Sequence, residues 1–236
     1  GYIGNYQIKI KKKATYVDWS KCTGCGACME KCPSKNSYDY FNVGVAPTRA
    51  INIPFPQAIP KKAKIDPNFC RQFVKGKCGV CAKICPTGAI NYEMKDEIVQ
   101  EDVGAIVVAT GYGLLDQNKL SEYGGTRYPD VISGLQYERL LNASGPTSGH
   151  IERPSDHTEP KTIVFVSCAG SRDKSIGVPY CSGFCCMYIA KQAILTKDHI
   201  PDSQSYVFYM DIRSPGKGYD EFTRRAQEEY GAQYIR

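Results

Sequence analysis

Cys22, Cys25, Cys28 and Cys32 are spaced C-x2-C-x2-C-x3-C and are followed by Pro33. Cys70, Cys78, Cys81 and Cys85 are spaced C-x7-C-x2-C-x3-C and are followed by Pro86, and Cys168, Cys181, Cys185 and Cys186 are spaced C-x12-C-x3-C-C. These three groups of four use all 12 cysteines of the chain. Four thiolates are what one [4Fe–4S] cubane requires, and the first spacing is an established cubane-binding run. The chemistry implied is one-electron storage and transfer, with three cubanes as the expectation.

Two other uses of cysteine compete with this reading. Disulfide frameworks belong to short secreted chains, and no signal peptide opens these 236 residues. Neighbours such as Cys185 and Cys186 are also poorly placed to pair within a compact loop. Structural zinc uses two short knuckles separated by a longer gap. Here C-x2-C-x2-C puts three sulfurs around one loop, with a Cys-Pro leading away, which is the arrangement of a two-cluster ferredoxin. In such modules the fourth cysteine of each run serves the other cluster. By that logic Cys22, Cys25, Cys28 and Cys85 hold one cluster, and Cys70, Cys78, Cys81 and Cys32 hold the second. The interval Arg71–Lys77 makes Cys70 the least regular of the eight, although a longer loop costs little. The third group fits no common ferredoxin spacing. On spacing alone it is either a further cluster or a set of buried structural cysteines.

The formal charge of +6 does not call for nucleic acid. A cubane with four thiolates carries about −2, so three offset roughly −6. The run Lys11-Lys12-Lys13 adjoins the alternating Tyr6–Ile10 and reads as the solvated end of a strand. No apolar run is long enough to span a membrane, and abundant thiols point to a reducing cytoplasm. The chain starts without Met and stops at Tyr234-Ile-Arg236 within a strand-like run, so a fragment of a longer polypeptide is expected. No Ser/His/Asp constellation is present, and His150, His157 and His199 lie in or beside polar stretches that should face solvent.

The elements that must position the cysteines divide the chain. Residues 1–16 read as a connecting strand. Residues 17–97 read as a ferredoxin-like domain, with a proline-rich segment, Pro47–Pro60, wrapping between its halves. Glu97–Val103 reads as a strand, and Gly104-Ala-Ile-Val-Val-Ala-Thr-Gly111 as a continuous apolar run of the kind that forms a buried parallel strand. Residues 112–160 are loop-rich, with a helix around Ser133–Ser144. In 161–236, Lys161–Ser167 reads as a second buried strand and Cys185–Lys197 as an apolar helix. Tyr206–Met210 follows as a strand and Tyr219–Tyr230 as a helix. Strand and helix in alternation predict a parallel α/β sheet. G-x-G-x-x-G is absent: Gly111-Tyr-Gly113 is followed by Asp116 where a third glycine would stand, so no standard pyrophosphate loop is encoded.

The two ferredoxin runs, Gly104–Tyr112, Arg127-Tyr-Pro129, Pro160–Asp173, Pro179–Ser182, Cys185–Tyr188 and Tyr209–Arg213 together resemble the iron–sulfur flavoprotein of heterodisulfide reductase, its A subunit. The resemblance extends across essentially the whole chain. It implies an inserted two-cluster ferredoxin module (17–97) in a thioredoxin-reductase-like, Rossmann-type flavoprotein fold, an α/β plus α+β class. Residues 1–16 would then enter from the flavin domain and 98–160 would form part of the FAD domain. Residues 161–236 would be the NAD(P)H-domain-like half, carrying a third cubane on Cys168, Cys181, Cys185 and Cys186.

The resemblance further implies FAD shared with the rest of the polypeptide, with Ala109, Thr110 and Gly111 near the flavin. Lys191 is either an ordinary helix lysine or a cation that tunes the flavin. Partner subunits B and C, a hydrogenase or formate dehydrogenase donor, ferredoxin, and a dimer of complexes complete the implied picture. Electron pairs would be split at FAD between the CoM-S-S-CoB heterodisulfide and ferredoxin. The related component of a quinone-interacting oxidoreductase of sulfate reduction is the neighbouring alternative, against which Pro54–Gln57 and the ferredoxin insertion weigh. A structural or nucleic-acid-processing iron–sulfur protein is the alternative from another class.

Overall fold

The computed structural model describes residues 1–236, which fold as two units, Gly1–Tyr112 and Gly113–Arg236. The N-terminal unit is entered and left by one antiparallel ribbon. Strand β1 (Tyr6–Lys12) pairs with β6 (Glu97–Val103) in a register running from Tyr6 opposite Val103 to Lys12 opposite Glu97. Between these strands lie α1 (Ala27–Glu30), β2 (Ser37–Tyr38), β3 (Pro47–Thr48), β4 (Ile51–Asn52), β5 (Lys64–Ile65), α2 (Arg71–Lys75) and α3 (Val80–Ile84). The strands pair as two small antiparallel ladders, β2 with β3 and β4 with β5. A bridge between Val17 and Ile90 joins the two halves. Elements this short bury little on their own. The core is a patch of Val17, Ala50, Ile51, Ala63, Ile65 and Ala89, together with Cys32, Cys70 and Cys81. The cysteines are therefore part of the packing that closes the module, and small residues dominate because space is kept beside them.

The run Gly104–Gly111 corrects the sequence reading. It forms no strand and is exposed throughout, with Val107 89% and Val108 79% accessible. An apolar run becomes a buried strand only when a neighbour completes its backbone ladder. The strand immediately before it, β6, is already paired with β1.

The C-terminal unit opens with a 3₁₀ segment, Gln117–Tyr123, and α4 (Gly134–Leu141). Ser133 starts α4 through a reciprocal cap: its Oγ accepts from the Gln136 N–H and its own N–H donates to Gln136 Oε1, satisfying two orphan donors. Strand β7 (Thr162–Val166), α5 (Cys185–His199), β8 (Gln204–Phe208), α6 (Tyr219–Glu228) and β9 (Gln233–Ile235) follow. The strands form a parallel sheet in the order β7-β8-β9. Phe165 and Val207 pack with Tyr137, Leu141, Ile189 and Ala193, so α4 and α5 share one core with the sheet. Ala190 and Ile194 meet Ala226 of α6. Strand β7 is buried on one face only. Phe165 is covered while Val164 and Val166 are exposed, as is Phe208 on β8. The sequence reading of a fully buried strand therefore holds for half of its side chains, because no layer packs on the second face. His150, His157 and His199 are exposed.

Candidate iron–sulfur sites

In the N-terminal unit the first cysteine loop leads into α1, whose N-cap Gly26 is left-handed (φ 83°). Two residues earlier Gly24 is also left-handed, at φ +71°, and a Cβ there would stand 2.2 Å from the Lys61 carbonyl oxygen. Only glycine satisfies both the backbone conformation and that close approach. The loop is tied from the other side by Lys62, whose ammonium donates to the Cys22 carbonyl. Cys85 closes α3 in extended conformation (φ −74°, ψ 112°), which releases the chain toward Pro86. As a result Cys22, Cys25, Cys28 and Cys85 line one recess of about 390 Å³, together with Val17, Ile53, Ala63, Ala89 and Ile90.

The second recess, of about 290 Å³, is lined by Cys32, Cys70, Cys78 and Cys81, with Ile51, Val80 and Tyr92. The seven-residue interval after Cys70 is filled by α2, which Cys70 caps and left-handed Gly76 ends. The side chain of Gln72 on that helix accepts from the Cys78 N–H at 2.9 Å. The insertion is thus a folded turn that brings Cys70 and Cys78 to the same recess. Arg49 donates to the Cys32 carbonyl at 2.6 Å. Each quartet therefore draws three cysteines from one run and one from the other.

The third quartet lies past the carboxyl end of β7 and at the start of α5. Cys168 follows β7 in a left-handed turn (φ 60°), and Cys185 and Cys186 are the first residues of α5. Cys181 comes from a folded excursion in which Asp173 bridges Val178, Ser171 Oγ donates to the Tyr180 carbonyl, and the Ser182 N–H donates to Ser171 Oγ. Backbone donors meet the sulfurs: the Gly183 N–H at 3.3 Å from Cys181 Sγ and the Arg213 N–H at 3.3 Å from Cys186 Sγ. Ends of parallel strands and the N-terminus of a helix are where α/β folds bind anionic groups. An anionic cluster gains from the same dipole.

All twelve cysteines are free thiols, and no three of them close on one point as a single tetrahedral ion would need. In the N-terminal unit they ring recesses instead. Burial, joined by the charge of neighbouring cysteines, pushes the Cys28 thiol up to about 11. Cys81, Cys168 and Cys186 are also raised, burial being the largest cause for each. For Cys85 burial is outweighed by the Thr87 hydroxyl and the N–H groups of Ala89, Thr87 and Gly88, and its thiol is lowered. The four raised thiols hold their protons more tightly, and binding a positively charged iron–sulfur core displaces thiol protons. Soft thiolate quartets with backbone N–H donors suit such a core. In the third site the Tyr234 hydroxyl is buried without a partner and lies close enough to Cys186 to be raised by it, after the larger effect of burial.

Three features escaped the sequence. Tyr92 places its hydroxyl 3.0 Å from Cys81 Sγ. Gln72 supports Cys78. Asp211, just beyond β8, is surrounded by Arg172, Arg213 and Arg236 at 2.8, 3.7 and 3.8 Å. Nothing in the spacing marks them, since each acts through tertiary approach. Of the other predicted residues, Ala109, Thr110 and Gly111 lie in the exposed irregular run. Lys191 is on α5, with its ammonium bonded to Glu138 of α4.

Comparison with known proteins adds an independent observation. The 4Fe-4S binding domain family matches residues 15–35, the first cysteine run and its approach. All 236 residues align at 49% identity with the A subunit of the H(2):CoB-CoM heterodisulfide,ferredoxin reductase of Methanothermobacter thermautotrophicus, covering 35% of that protein. Along its whole length the chain is similar to one stretch of the A subunits of heterodisulfide reductase. The iron-sulfur A subunit of the CoB–CoM heterodisulfide reductase of Methanocaldococcus jannaschii is 46% identical over the same 236 residues, again 35% of its length. The A subunit of the ferredoxin/F(420)H(2)-dependent CoB-CoM heterodisulfide reductase of Methanosarcina acetivorans is 41% identical over 237 residues, 29% of its length. The chain thus spans about a third of the heterodisulfide reductase relatives it matches. No helix is long and apolar enough to cross a membrane.

Proposed function

We propose that this chain is the electron-carrying portion of an oxidoreductase, a cytoplasmic heterodisulfide reductase of which it forms part of the A subunit, with three [4Fe–4S] clusters. Cys22, Cys25, Cys28 and Cys85 hold the first, Cys32, Cys70, Cys78 and Cys81 the second, and Cys168, Cys181, Cys185 and Cys186 the third. The observation that carries the reading is the exchange of fourth cysteines between the two recesses of one small module. This arrangement puts two carriers side by side and is unnecessary for a site that only staples a fold.

A cubane supplies reversible one-electron storage. The chain's own residues supply the conditions for it. The glycines of the Cys22–Cys28 loop let the backbone approach closely, Lys62 and Arg49 bring positive charge to the cysteine carbonyls, and small aliphatic walls exclude water. At the third quartet the start of α5 and the arginines around Asp211 compensate negative charge.

The layout proposed with this function is a connecting strand (1–16), a ferredoxin-like domain (17–97), part of an FAD domain (98–160) and an NAD(P)H-domain-like half (161–236), within a Rossmann-type flavoprotein. FAD belongs to this proposal for the complete polypeptide, with Ala109–Gly111 beside it. Lys191 can act on a flavin only if its pair with Glu138 opens. The relatives' names mention H(2), formate, F(420)H(2) and ferredoxin. They support an input of electrons from H(2) or formate and a link to ferredoxin; subunits B and C as partners in a dimer of complexes, and splitting of electron pairs between CoM-S-S-CoB and ferredoxin, belong to the same proposal.

The test is iron, sulfide and flavin quantification of the complete complex together with a redox titration followed by EPR. Three reversibly reducible [4Fe–4S] clusters assignable to this segment are expected. Clusters that do not cycle, or zinc in place of iron, would overturn the reading.

A further inference from the structure

The two recesses of the ferredoxin-like module are built from matching parts but are lined differently. The recess of Cys22, Cys25, Cys28 and Cys85 is walled mainly by small aliphatic side chains, with Thr23 and Thr87 as its hydroxyl-bearing members. The recess of Cys32, Cys70, Cys78 and Cys81 contains a phenol hydroxyl, that of Tyr92, 3.0 Å from Cys81 Sγ. The position of Tyr92 is fixed from two sides. The Asn91 N–H donates to the Tyr16 carbonyl at 3.1 Å. Phe73 of α2 meets the Tyr92 ring edge-on at 5.8 Å and the Tyr16 ring at 4.5 Å.

Cys85 in the other recess also receives donors, the Ala89 N–H at 3.3 Å and the Thr87 hydroxyl at 3.6 Å. The first is backbone, which accompanies the fold whatever the side chains, and the second is 0.6 Å longer than the Tyr92 contact. Tyr92 is the short side-chain donor of the pair. A sulfur that ligates iron carries no proton, so in a loaded site the hydroxyl must be the donor. Hydrogen bonds to cluster sulfurs disperse charge and favour the more negative, reduced state.

We propose that Tyr92 raises the reduction potential of the cluster held by Cys32, Cys70, Cys78 and Cys81, and so sets a step between it and its neighbour. This rests on the cluster reading above. Tyr92 acts through the Cys81 sulfur, as a residue that tunes the electron carrier. The insertion helix α2 has a part in it, because it supplies Phe73 as well as the approach to Cys78.

The experiment is Tyr92→Phe in the complete polypeptide, followed by EPR-monitored potentiometry and iron analysis. One [4Fe–4S] midpoint is expected to shift downward while the others stay, with iron content unchanged. Unmoved midpoints at unchanged iron content would overturn the role of Tyr92. If the unsubstituted protein shows no reducible clusters from this module, the cluster reading itself falls, so the two failures are distinguishable. A ring-fluorinated tyrosine installed at position 92 keeps the packing and strengthens the donor. It is expected to move the same midpoint upward, and no movement there overturns the proposal even where Tyr92→Phe fails to assemble.

Discussion

Arg172 Nη1 lies 2.8 Å from Asp211 Oδ2 and so joins the loop after β7 to the loop after β8 through an ion pair. Arg172 sits in a left-handed turn (φ 60°), and its side chain also opposes the burial that raises the Cys168 thiol. Asp211→Asn removes the only carboxylate facing three guanidinium groups. It is expected to leave the ferredoxin-like clusters intact while iron at the third site is lost more readily to chelator. Partly exposed ion pairs contribute little to folding, about 1 kcal/mol or less. The melting temperature should therefore move far less than chelator-accessible iron.

Ligand exchange between the recesses makes a prediction that simple sequence grouping reverses. Cys85→Ala should eliminate the cluster whose other ligands are Cys22, Cys25 and Cys28, although Cys85 belongs to the second run. Cys32→Ala should eliminate the cluster of Cys70, Cys78 and Cys81. Each substitution should lower iron from about twelve to about eight atoms per chain, four irons to a cubane. EPR of paired variants such as Cys85→Ala with Cys25→Ala should show no loss beyond the single variant. An additive loss would restore the contiguous grouping.

Gly24→Ala is expected to abolish the first cluster while sparing the second. Its Cβ would meet the Lys61 carbonyl at 2.2 Å in a backbone conformation that L side chains rarely adopt. Cluster-specific EPR intensity is the readout. Gly76→Ala, with nothing near its Cβ, should be tolerated better despite a similar φ.

How much of this was legible beforehand differs between features. The cysteine spacings disclosed the quartets because ligand geometry is local. The grouping of Cys85 with the first run and Cys32 with the second was expected from the pattern of two-cluster ferredoxins, and the same grouping lines the two recesses. Helix α5 and strands β7 and β8 were readable from apolar periodicity. The run Gly104–Gly111 was misread because strand formation depends on a partner as well as on composition. Tyr92, Gln72 and Asp211 were invisible because each reaches its target through packing between distant segments.

The buried pair Tyr137 and Thr196 gives an asymmetric stability test. Thr196 Oγ1 donates to the Gln192 carbonyl at 2.6 Å, so the Tyr137 hydroxyl, 2.6 Å from Thr196 Oγ1, is the donor of that bond. Tyr137→Phe removes a donor and leaves Thr196 bonded, which should cost about 1 kcal/mol. Thr196→Val strands the buried phenol and should cost more, about 1–3 kcal/mol. Denaturant unfolding would show the order, and equal costs would contradict the assigned direction.

Asp96 accepts from the Ala14 N–H at 2.9 Å and pairs with Lys11 at 2.9 Å. The backbone bond first, then the Lys11 side chain, hold its carboxyl below the usual value. A depressed carboxylate contributes stability that is present above its unfolded pKa and is lost as pH falls through the folded one. Amide protection in Tyr6–Lys12, taken relative to the intrinsic exchange rate at each pH, should therefore fall only under acidic conditions below the ordinary carboxylate range. In Asp96→Asn that acid-induced loss of protection should be blunted.

The β1–β6 ribbon brings Lys12 opposite Glu97, so the chain enters and leaves the cysteine-rich module at neighbouring positions. Everything between these two residues hangs from the ladder at a single pair of neighbouring attachment points. Joining Lys12 to Glu97 by a short hairpin turn would then remove the module and leave the register of the ribbon in place.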